Sequence, residues 1–153
     1  MTLLLVRHAI AVARKGWPGD DDDRPLTQRG RRQAMALVGQ VAAFVPTRVL
    51  SSPSVRCVDT VAPVAAGRGL VVECDTDLTE GNGGLAVALV RLLVDGDGDN
   101  VVCTHGDVLA DVLAALGRQG ARLENNRCQK GSTWLVGRDN KGLIRGRYLP
   151  PPS

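Results

Sequence analysis

The sequence predicts an α/β fold with three layers, in which helices cover both faces of a mostly parallel central sheet. Two observations lead to this prediction. Short apolar segments alternate along the chain with longer segments whose apolar residues recur every three or four positions, a pattern typical of βαβ units. The first apolar segment, residues 3–6, contains no polar position, which indicates a strand buried on both of its faces.

Local signals place each element. The first helix begins after Thr27, a residue type that caps helix N-termini, and ends before Pro46, because proline disrupts a helix interior. The fourth helix follows His105 and presents one apolar face, formed by Val108, Leu109, Val112, Leu113 and Leu116. The other helices are predicted at 54–67 and 84–94, and the strands at 2–7, 48–51, 70–74, 100–104 and 132–137. The C-terminal YLPPPS, residues 148–153, is expected to fray.

Length and composition fit one domain, which is predicted to span residues 1–153. Hydrophobic residues make up 44% and charged residues 23% of the chain, as in ordinary globular proteins, which excludes wholesale disorder. The net charge is +3 and the charges are dispersed, so nucleic-acid binding is not expected. No apolar run approaches the ~20 residues that span a bilayer. The N-terminal run is too short for a signal peptide, and we therefore expect a cytoplasmic protein without a membrane partner.

The distribution of potential ligands argues against a metal site. Cys57, Cys74, Cys103 and Cys128 are scattered without a C-x-x-C pair, and the chain has only two histidines to assist them. Free thiols are expected in a protein without an export signal. The aspartate run at 20–23 lies in a loop rich in Gly and Pro, where successive acidic residues are usually solvated. No metal or cofactor is expected.

The only two histidines each end a predicted strand. His8 follows the apolar run and Arg7, while His105 follows the fourth strand and is itself followed by Gly106 at a helix start. Parallel strands of one sheet present their carboxyl ends at the same edge, and ligands of open α/β sheets bind just beyond that edge. The sequence therefore predicts that both imidazoles lie in one site.

Five short motifs carry a resemblance to a known family. In chain order they are VRHA at 6–9, PLTQRGRRQA at 25–34, SSPSVRCVDT at 51–60, LTEG at 78–81 and CTHGD at 103–107. With these motifs, which span nearly the whole chain, the sequence resembles the histidine phosphatase superfamily, which implies a phosphoglycerate mutase-like fold. The usual signature is Arg-His-Gly, and here Ala9 replaces the glycine. KGSTW at 130–134, together with the acidic loop, resembles the phosphatase domain that follows a MutT-type Nudix domain in some two-domain proteins.

The resemblance implies a role for each matching residue. His8 would be the nucleophile that forms a phosphohistidine, and Glu80 would protonate the leaving oxygen. Arg7, Arg56 and His105 would bind the phosphoryl oxygens and neutralise their charge. His8, Glu80 and His105 are thus the predicted catalytic residues. The further predicted substrate contacts are Ser52, Thr104, Gly106 and Lys130.

Several functions remain open at this point. The first is a metal-independent phosphatase acting on a small phosphate ester or a nucleotide. The second is a protein phosphohistidine phosphatase of the SixA type, which the short length resembles; Glu80 favours the ester, because an imidazole leaving group needs little protonation. The third is a non-catalytic phosphate-binding module, which would need neither His8 nor Glu80. A mutase is disfavoured, because only 24 residues separate Glu80 from His105 and leave no room for a shielding insertion. The partner is therefore a small phosphorylated substrate or a phosphohistidine protein.

Overall fold

The computed structural model describes residues 2–152 and contains seven strands and four helices. The strands are β1 (Leu3–Arg7), β2 (Pro46–Ser51), β3 (Val72–Cys74), β4 (Asp99–Thr104), β5 (Arg122–Leu123), β6 (Thr133–Arg138) and β7 (Ile144–Leu149). The helices are α1 (Gln28–Gln40), α2 (Val55–Gly67), α3 (Gly83–Val94) and α4 (Gly106–Arg118). Short 3₁₀ helices lie at Asp21–Asp23 and Thr76–Leu78.

One sheet contains all seven strands, in the order β3-β2-β4-β1-β6-β7-β5. β1 lies near its centre, parallel to β4 on one side and antiparallel to β6 on the other. Strands β3, β2, β4 and β1 form a continuous parallel half, which brings the carboxyl ends of β1, β2 and β4 to one edge. The predicted three-layer fold of the phosphoglycerate mutase type is confirmed.

Apolar residues on both faces of the sheet build the core. One cluster joins the sheet to α1 and α2 through residues such as Leu37 and Val61, and the other joins it to α3 and α4 through residues such as Val90 and Leu109. Both faces of β1 are buried, as the uninterrupted apolar run predicts. None of the helices within residues 2–152 is long and apolar enough to cross a membrane.

A close approach fixes the start of α1 beside the end of β1. Thr27 caps the helix, with its Oγ1 accepting from Gly30 N at 3.0 Å. A Cβ at Gly30 would collide with the carbonyl of Ile10, so only glycine lets the helix lie against the segment that follows His8.

The structure differs from the predicted elements in the C-terminal quarter of the chain. β5 and β7 were not predicted, and the expectation that the tail frays from residue 148 is wrong, because Tyr148 is buried within β7. In this strand the buried Gly146 and Tyr148 alternate with the exposed Arg145 and Arg147. Glycine is a poor strand former and has no apolar side chain, so its place among the arginines conceals this alternation.

Candidate active site

His8 and His105 lie together at the carboxyl edge of the sheet. Arg7 pairs with Thr104 across β1 and β4, and His8 N donates to the carbonyl of Thr104 at 3.1 Å. The two imidazole centroids are 5.6 Å apart in a T-shaped arrangement. Both side chains are buried. His8 and His105 therefore lie side by side, as their positions at the ends of two parallel strands predict.

His8 is held as a neutral imidazole with its proton on Nδ1. Its Nδ1 lies 2.8 Å from the carbonyl of Ala9, and because a carbonyl only accepts, Nδ1 carries the proton and Nε2 keeps a lone pair. Burial lowers the pKa of His8 to about 3, and the charges of His105 and Arg56 act in the same direction. The imidazole is therefore neutral near pH 7. Ala9 itself is buried and donates its N–H to Thr60 Oγ1 at 2.9 Å.

Arg56 lies in the first turn of α2, with its side chain 0% exposed. Its Nη1 donates to the carbonyl of Asp21 at 2.8 Å, and its Nη2 donates to the carboxylate of Asp21 at 3.1 Å and to His105 Nδ1 at 3.3 Å. The buried Nε has no hydrogen-bond partner among the described residues. A phosphoryl group at this helix start would meet the guanidinium together with the positive end of the helix dipole.

Ser52 orients His105. Because Arg56 Nη2 donates to Nδ1 of His105, Nε2 carries the ring proton and donates to Ser52 Oγ at 2.8 Å. Ser52 is fully buried, and its backbone N–H donates to the carbonyl of Cys103 at 3.0 Å, which joins β2 to β4. The predicted substrate contact at Ser52 is thus a hydrogen-bond partner of the second histidine.

Arg7 and Gly106 pack against each other. Nη1 of Arg7 donates to the carbonyl of Cys128 at 2.6 Å, while its buried Nε has no hydrogen-bond partner in the described part of the chain. A Cβ at Gly106 would lie 2.7 Å from Cζ of Arg7. Glycine at the start of α4 therefore leaves room for the guanidinium.

Glu80 lies in the turn that precedes α3, at the opening of the site. Its carboxylate accepts from Arg14 Nη2 at 3.1 Å and is 3.6 Å from Arg56 Nη2. The side chain is 42% exposed. The turn is fixed to α4 because Gly81 N donates to Asp107 at 2.9 Å. This places a carboxyl group within reach of the arginine that faces His105.

One cleft of about 480 Å³, which we call the catalytic cleft, has walls that include Arg7, His8, Arg14, Arg24, Glu80, Gly106 and Lys130. Lys130 is exposed on its border, and its carbonyl lies 3.5 Å from the Gln33 amide nitrogen. The other predicted site residues lie buried behind this lining: Arg56, His105, Ser52 and Thr104. Thr104 Oγ1 donates to the carbonyl of Leu78 at 2.7 Å and so supports the segment that carries Glu80.

The expectation that the aspartate run is only solvated is wrong for Asp21. Its carboxylate accepts from Arg14 at 2.8 Å, from Arg24 at 2.8 Å and from Arg56 at 3.1 Å. Burial alone would raise the pKa of Asp21, but the hydrogen bonds from Arg24 and Arg14 and the charge of Arg56 outweigh it and lower the pKa to about 2. Asp21 therefore stays ionised and holds three arginines beside the cleft.

Residues 3–89 match the histidine phosphatase superfamily (branch 1). The chain belongs to this superfamily. The prediction of a hydrolase of the histidine phosphatase type is confirmed at this level. A curated protein of Mycolicibacterium smegmatis, named 8-oxo-(d)GTP phosphatase, is 36% identical over 157 residues, which cover 99% of this chain and 49% of the relative. The chain therefore spans about half the length of the curated relative.

Two solved phosphatase structures share the fold. The protein histidine phosphatase SixA, in a complex with tungstate, aligns with a TM-score of 0.76 and 23% identity over 100% of this chain and 97% of the other. A mycobacterial glucosyl-3-phosphoglycerate phosphatase aligns with a TM-score of 0.74 and 20% identity over 99% of each chain. At these identities the likeness concerns the fold alone.

Four residues around this candidate site were missed by sequence reasoning: Arg14, Asp21, Arg24 and Asp107. Asp21 was hidden in a run of four similar residues, and Arg14 lies in the same irregular loop. Asp107 is the last residue of the CTHGD motif, but no role was assigned to it, because its contact is 26 positions away at Gly81. The sequence offers one signal for these contacts: acidic residues 20–23 lie between Arg14 and Arg24. This pattern suggests ion pairs but does not show which residues form them.

Across residues 2–152, no group of three or more His, Cys, Asp or Glu side chains is arranged to hold a metal ion. Positive charge in the catalytic cleft comes from Arg7, Arg14, Arg24 and Lys130, with Arg56 behind Glu80. The expectation of a metal-independent reaction stays a prediction.

Proposed function

We propose that residues 1–153 act as one phosphatase domain that hydrolyses phosphomonoesters through a phosphohistidine on His8. The observation that supports this most directly is the buried, neutral imidazole whose Nδ1–H is bound to Ala9, beside the guanidinium of Arg56 and within a cleft that also holds Glu80. A neutral nucleophile, an anion-binding guanidinium and a carboxyl acid are the three groups that phosphoryl transfer requires.

The reaction proceeds in two balanced steps. The Nε2 lone pair of His8 forms a bond to phosphorus while the bond to the leaving oxygen breaks, and Glu80 gives that oxygen a proton. Water then attacks the phosphohistidine, its proton passes to the Glu80 carboxylate, and the N–P bond breaks to restore the neutral imidazole. Arg7 and Arg56 stabilise the charge on the phosphoryl oxygens in both steps, and His105 positions Arg56 through the hydrogen bond at its Nδ1.

We propose a purine nucleotide, such as one with an oxidised base, as the substrate. The support is the 36% identity to a protein named 8-oxo-(d)GTP phosphatase, over 99% of this chain. Because the chain corresponds to about half of that relative, the activity of the whole relative is not carried over. The site itself favours a leaving group that requires protonation, since Glu80 lies 3.6 Å from Arg56.

A phosphohistidine protein is the second candidate substrate. The observation in its favour is the openness of the cleft: Glu80 is 42% exposed and Lys130 lies on an unobstructed border, so an exposed side chain of a protein partner can enter. The presence of both His8 and Glu80 disfavours a module that only binds phosphate, because binding requires neither a nucleophile nor an acid.

Trapping of the intermediate tests the proposed mechanism. Wild-type enzyme quenched in denaturant during turnover of a ³²P-labelled ester should carry a phosphoryl group that is labile in acid and stable in base. His8→Ala should carry none and release no phosphate, with an unchanged circular dichroism spectrum. Turnover should also survive excess chelator. An acid-stable phosphoester, an active His8→Ala variant, or activity that returns only with added magnesium would contradict the proposal.

A further inference from the structure

The loop at residues 16–25 has a folded structure of its own beside the catalytic cleft. Asp21 attaches it to Arg24, Arg56 and Arg14 through its carboxylate. The indole Nε1 of Trp17 donates to the carbonyl of Asp20 at 2.8 Å. The polar bonds of this loop therefore fix the indole ring close to the groups that handle phosphate.

Trp17 stands apart from the other aromatic residues of the chain. Trp134 and Tyr148 belong to the hydrophobic core, and Phe44 packs against it. Trp17 belongs to none of the core clusters and is only half-buried. Gly19 lies against the indole, since a Cβ there would be 3.2 Å from Nε1 and 3.4 Å from Cε2. A large aromatic surface is thus held rigidly without a role in core packing.

The indole lines a pocket that continues from the catalytic cleft. This pocket, of about 370 Å³, is formed by Arg14, Trp17, Gly19, Asp21 and Glu80. Arg14 and Glu80 also line the catalytic cleft, so the two cavities are neighbours on either side of this ion pair. In the proposed mechanism Glu80 protonates the leaving oxygen, and the leaving group must therefore extend along this side of the cleft.

We propose that Trp17 binds the leaving group by stacking against a planar nucleobase. This inference rests on the proposed phosphatase function and assigns the base of its proposed nucleotide substrate a binding residue. An indole surface stacks on any base because every base presents a π face. Rigid attachment of the indole to Asp20 reduces the conformational entropy lost on binding.

A comparison of Trp17→Leu with Trp17→Phe in the full chain tests whether the Trp17 ring binds a base. The substrates are guanosine 5′-monophosphate, whose leaving group carries a base, and glycerol 3-phosphate, whose leaving group has no ring. Trp17→Leu should raise KM for the nucleotide by roughly 5- to 100-fold, the usual range for one base stack. The fold-increase in KM for glycerol 3-phosphate should be at least five times smaller than the fold-increase for the nucleotide. Trp17→Phe keeps a ring and should recover most of the nucleotide affinity.

Phe44→Leu supplies the matched control, because Phe44 is also half-buried but packs against the core and lines neither cavity of the site. Direct binding is measured by fluorescence in the His8→Ala background, where the nucleotide is not consumed. Guanosine 5′-monophosphate should quench the emission of Trp17, and the quenching should disappear in His8→Ala/Trp17→Phe, since Trp134 is fully buried.

Two results would overturn the inference while leaving the proposed function intact. One is an equal effect of Trp17→Leu on both substrates. The other is a Trp17→Phe variant as impaired as Trp17→Leu, which would show that the bond from Nε1 to Asp20, and not the ring surface, is what matters. If the wild-type enzyme released phosphate from neither substrate, that result would contradict the proposed function itself, and the inference about Trp17 with it.

Discussion

Asp21 holds Arg56 through both its backbone and its side chain: the Asp21 carbonyl accepts from Nη1 at 2.8 Å, and its carboxylate accepts from Nη2 at 3.1 Å. Arg56 is fully buried, while Asp21 remains 36% exposed. The pair therefore connects a buried cation to the surface of the cleft. The Asp21 carboxylate is bonded to Arg56 and therefore repels a phosphate that approaches this arginine.

This geometry predicts that Asp21→Asn strengthens the binding of inorganic phosphate. The bond from Arg56 Nη1 to the backbone carbonyl persists in the variant, while one negative charge leaves the cleft. We expect the inhibition constant of phosphate to fall about two- to fivefold, because charge interactions at exposed groups amount to ~0.2–1 kcal/mol. The effect should shrink in 1 M salt. Asp23→Asn is the control, since the exposed Asp23 carboxylate has no hydrogen bond or ion pair with described residues. Equal effects of both substitutions would reveal only a change in net charge.

Arg56→Ala and Arg56→Lys should differ, because Nη1 of the guanidinium donates to the Asp21 carbonyl while Nη2 donates to the Asp21 carboxylate and to His105. A single ammonium cannot reproduce that fork. We expect kcat/KM for 4-nitrophenyl phosphate to fall by roughly 30- to 1,000-fold in Arg56→Ala, the value of a charge-assisted contact of about 2–4 kcal/mol, and by less in Arg56→Lys. Arg91→Ala removes an exposed arginine on α3 as a control. Small, equal losses in both Arg56 variants would place Arg56 outside the reaction.

The buried His8 should make folding stability depend on pH. Its pKa is 6.5 when unfolded and about 3 when folded, so between these values the unfolded chain binds more protons and stability falls as pH falls. From pH 8 to pH 5 this contributes a loss of about 2 kcal/mol. Glutamine does not titrate, so the loss of folding stability between pH 8 and pH 5 should be about 2 kcal/mol smaller in His8→Gln than in the wild type. Denaturant unfolding of both proteins at the two pH values measures the difference; identical pH dependence would contradict a strongly lowered pKa.

The candidate site could be predicted from sequence wherever strand ends determine it. His8 and His105 each end an apolar run, and parallel pairing of β1 with β4 brings them together by topology alone. Arg56 follows β2 in the same way, at the start of α2. The fold was predictable for the same reason, since apolar periodicity marks buried strands and helices. These features depend on short-range patterns and on sheet geometry.

The remaining features depend on long-range contacts that local patterns do not encode. Asp21 resembles its three acidic neighbours in sequence, yet it alone contacts Arg56, 35 positions away. Tyr148 is buried because β7 pairs with β6, although the strand contains arginines and precedes three prolines. In each case the partner, and not the residue itself, determines the structure.

Glu80→Gln separates proton donation from positioning. Glutamine keeps an oxygen that can accept from Arg14, as the carboxylate does at 3.1 Å, but it cannot give a proton to the leaving oxygen. We therefore expect the rate on guanosine 5′-monophosphate, whose alkoxide is a poor leaving group, to fall by about 10²–10⁴, the usual value of general-acid assistance. The rate on 4-nitrophenyl phosphate should change little, because its phenolate departs without help. A phosphohistidine peptide should also respond weakly.

Glu73→Gln is the matched control for this substitution, because Glu73 is also 42% exposed and also pairs with an arginine, Arg48, but lies on β3 outside the cleft. It should leave both rates unchanged. Single-turnover measurements on the two substrates give the ratio directly, free of product release. If Glu80→Gln slowed every substrate by the same factor, Glu80 would serve to hold Arg14 and Arg56, and the preference for phosphate esters over phosphohistidine would lose its basis. A large loss confined to the poor leaving group, together with a silent Glu73→Gln, would establish Glu80 as the proton donor.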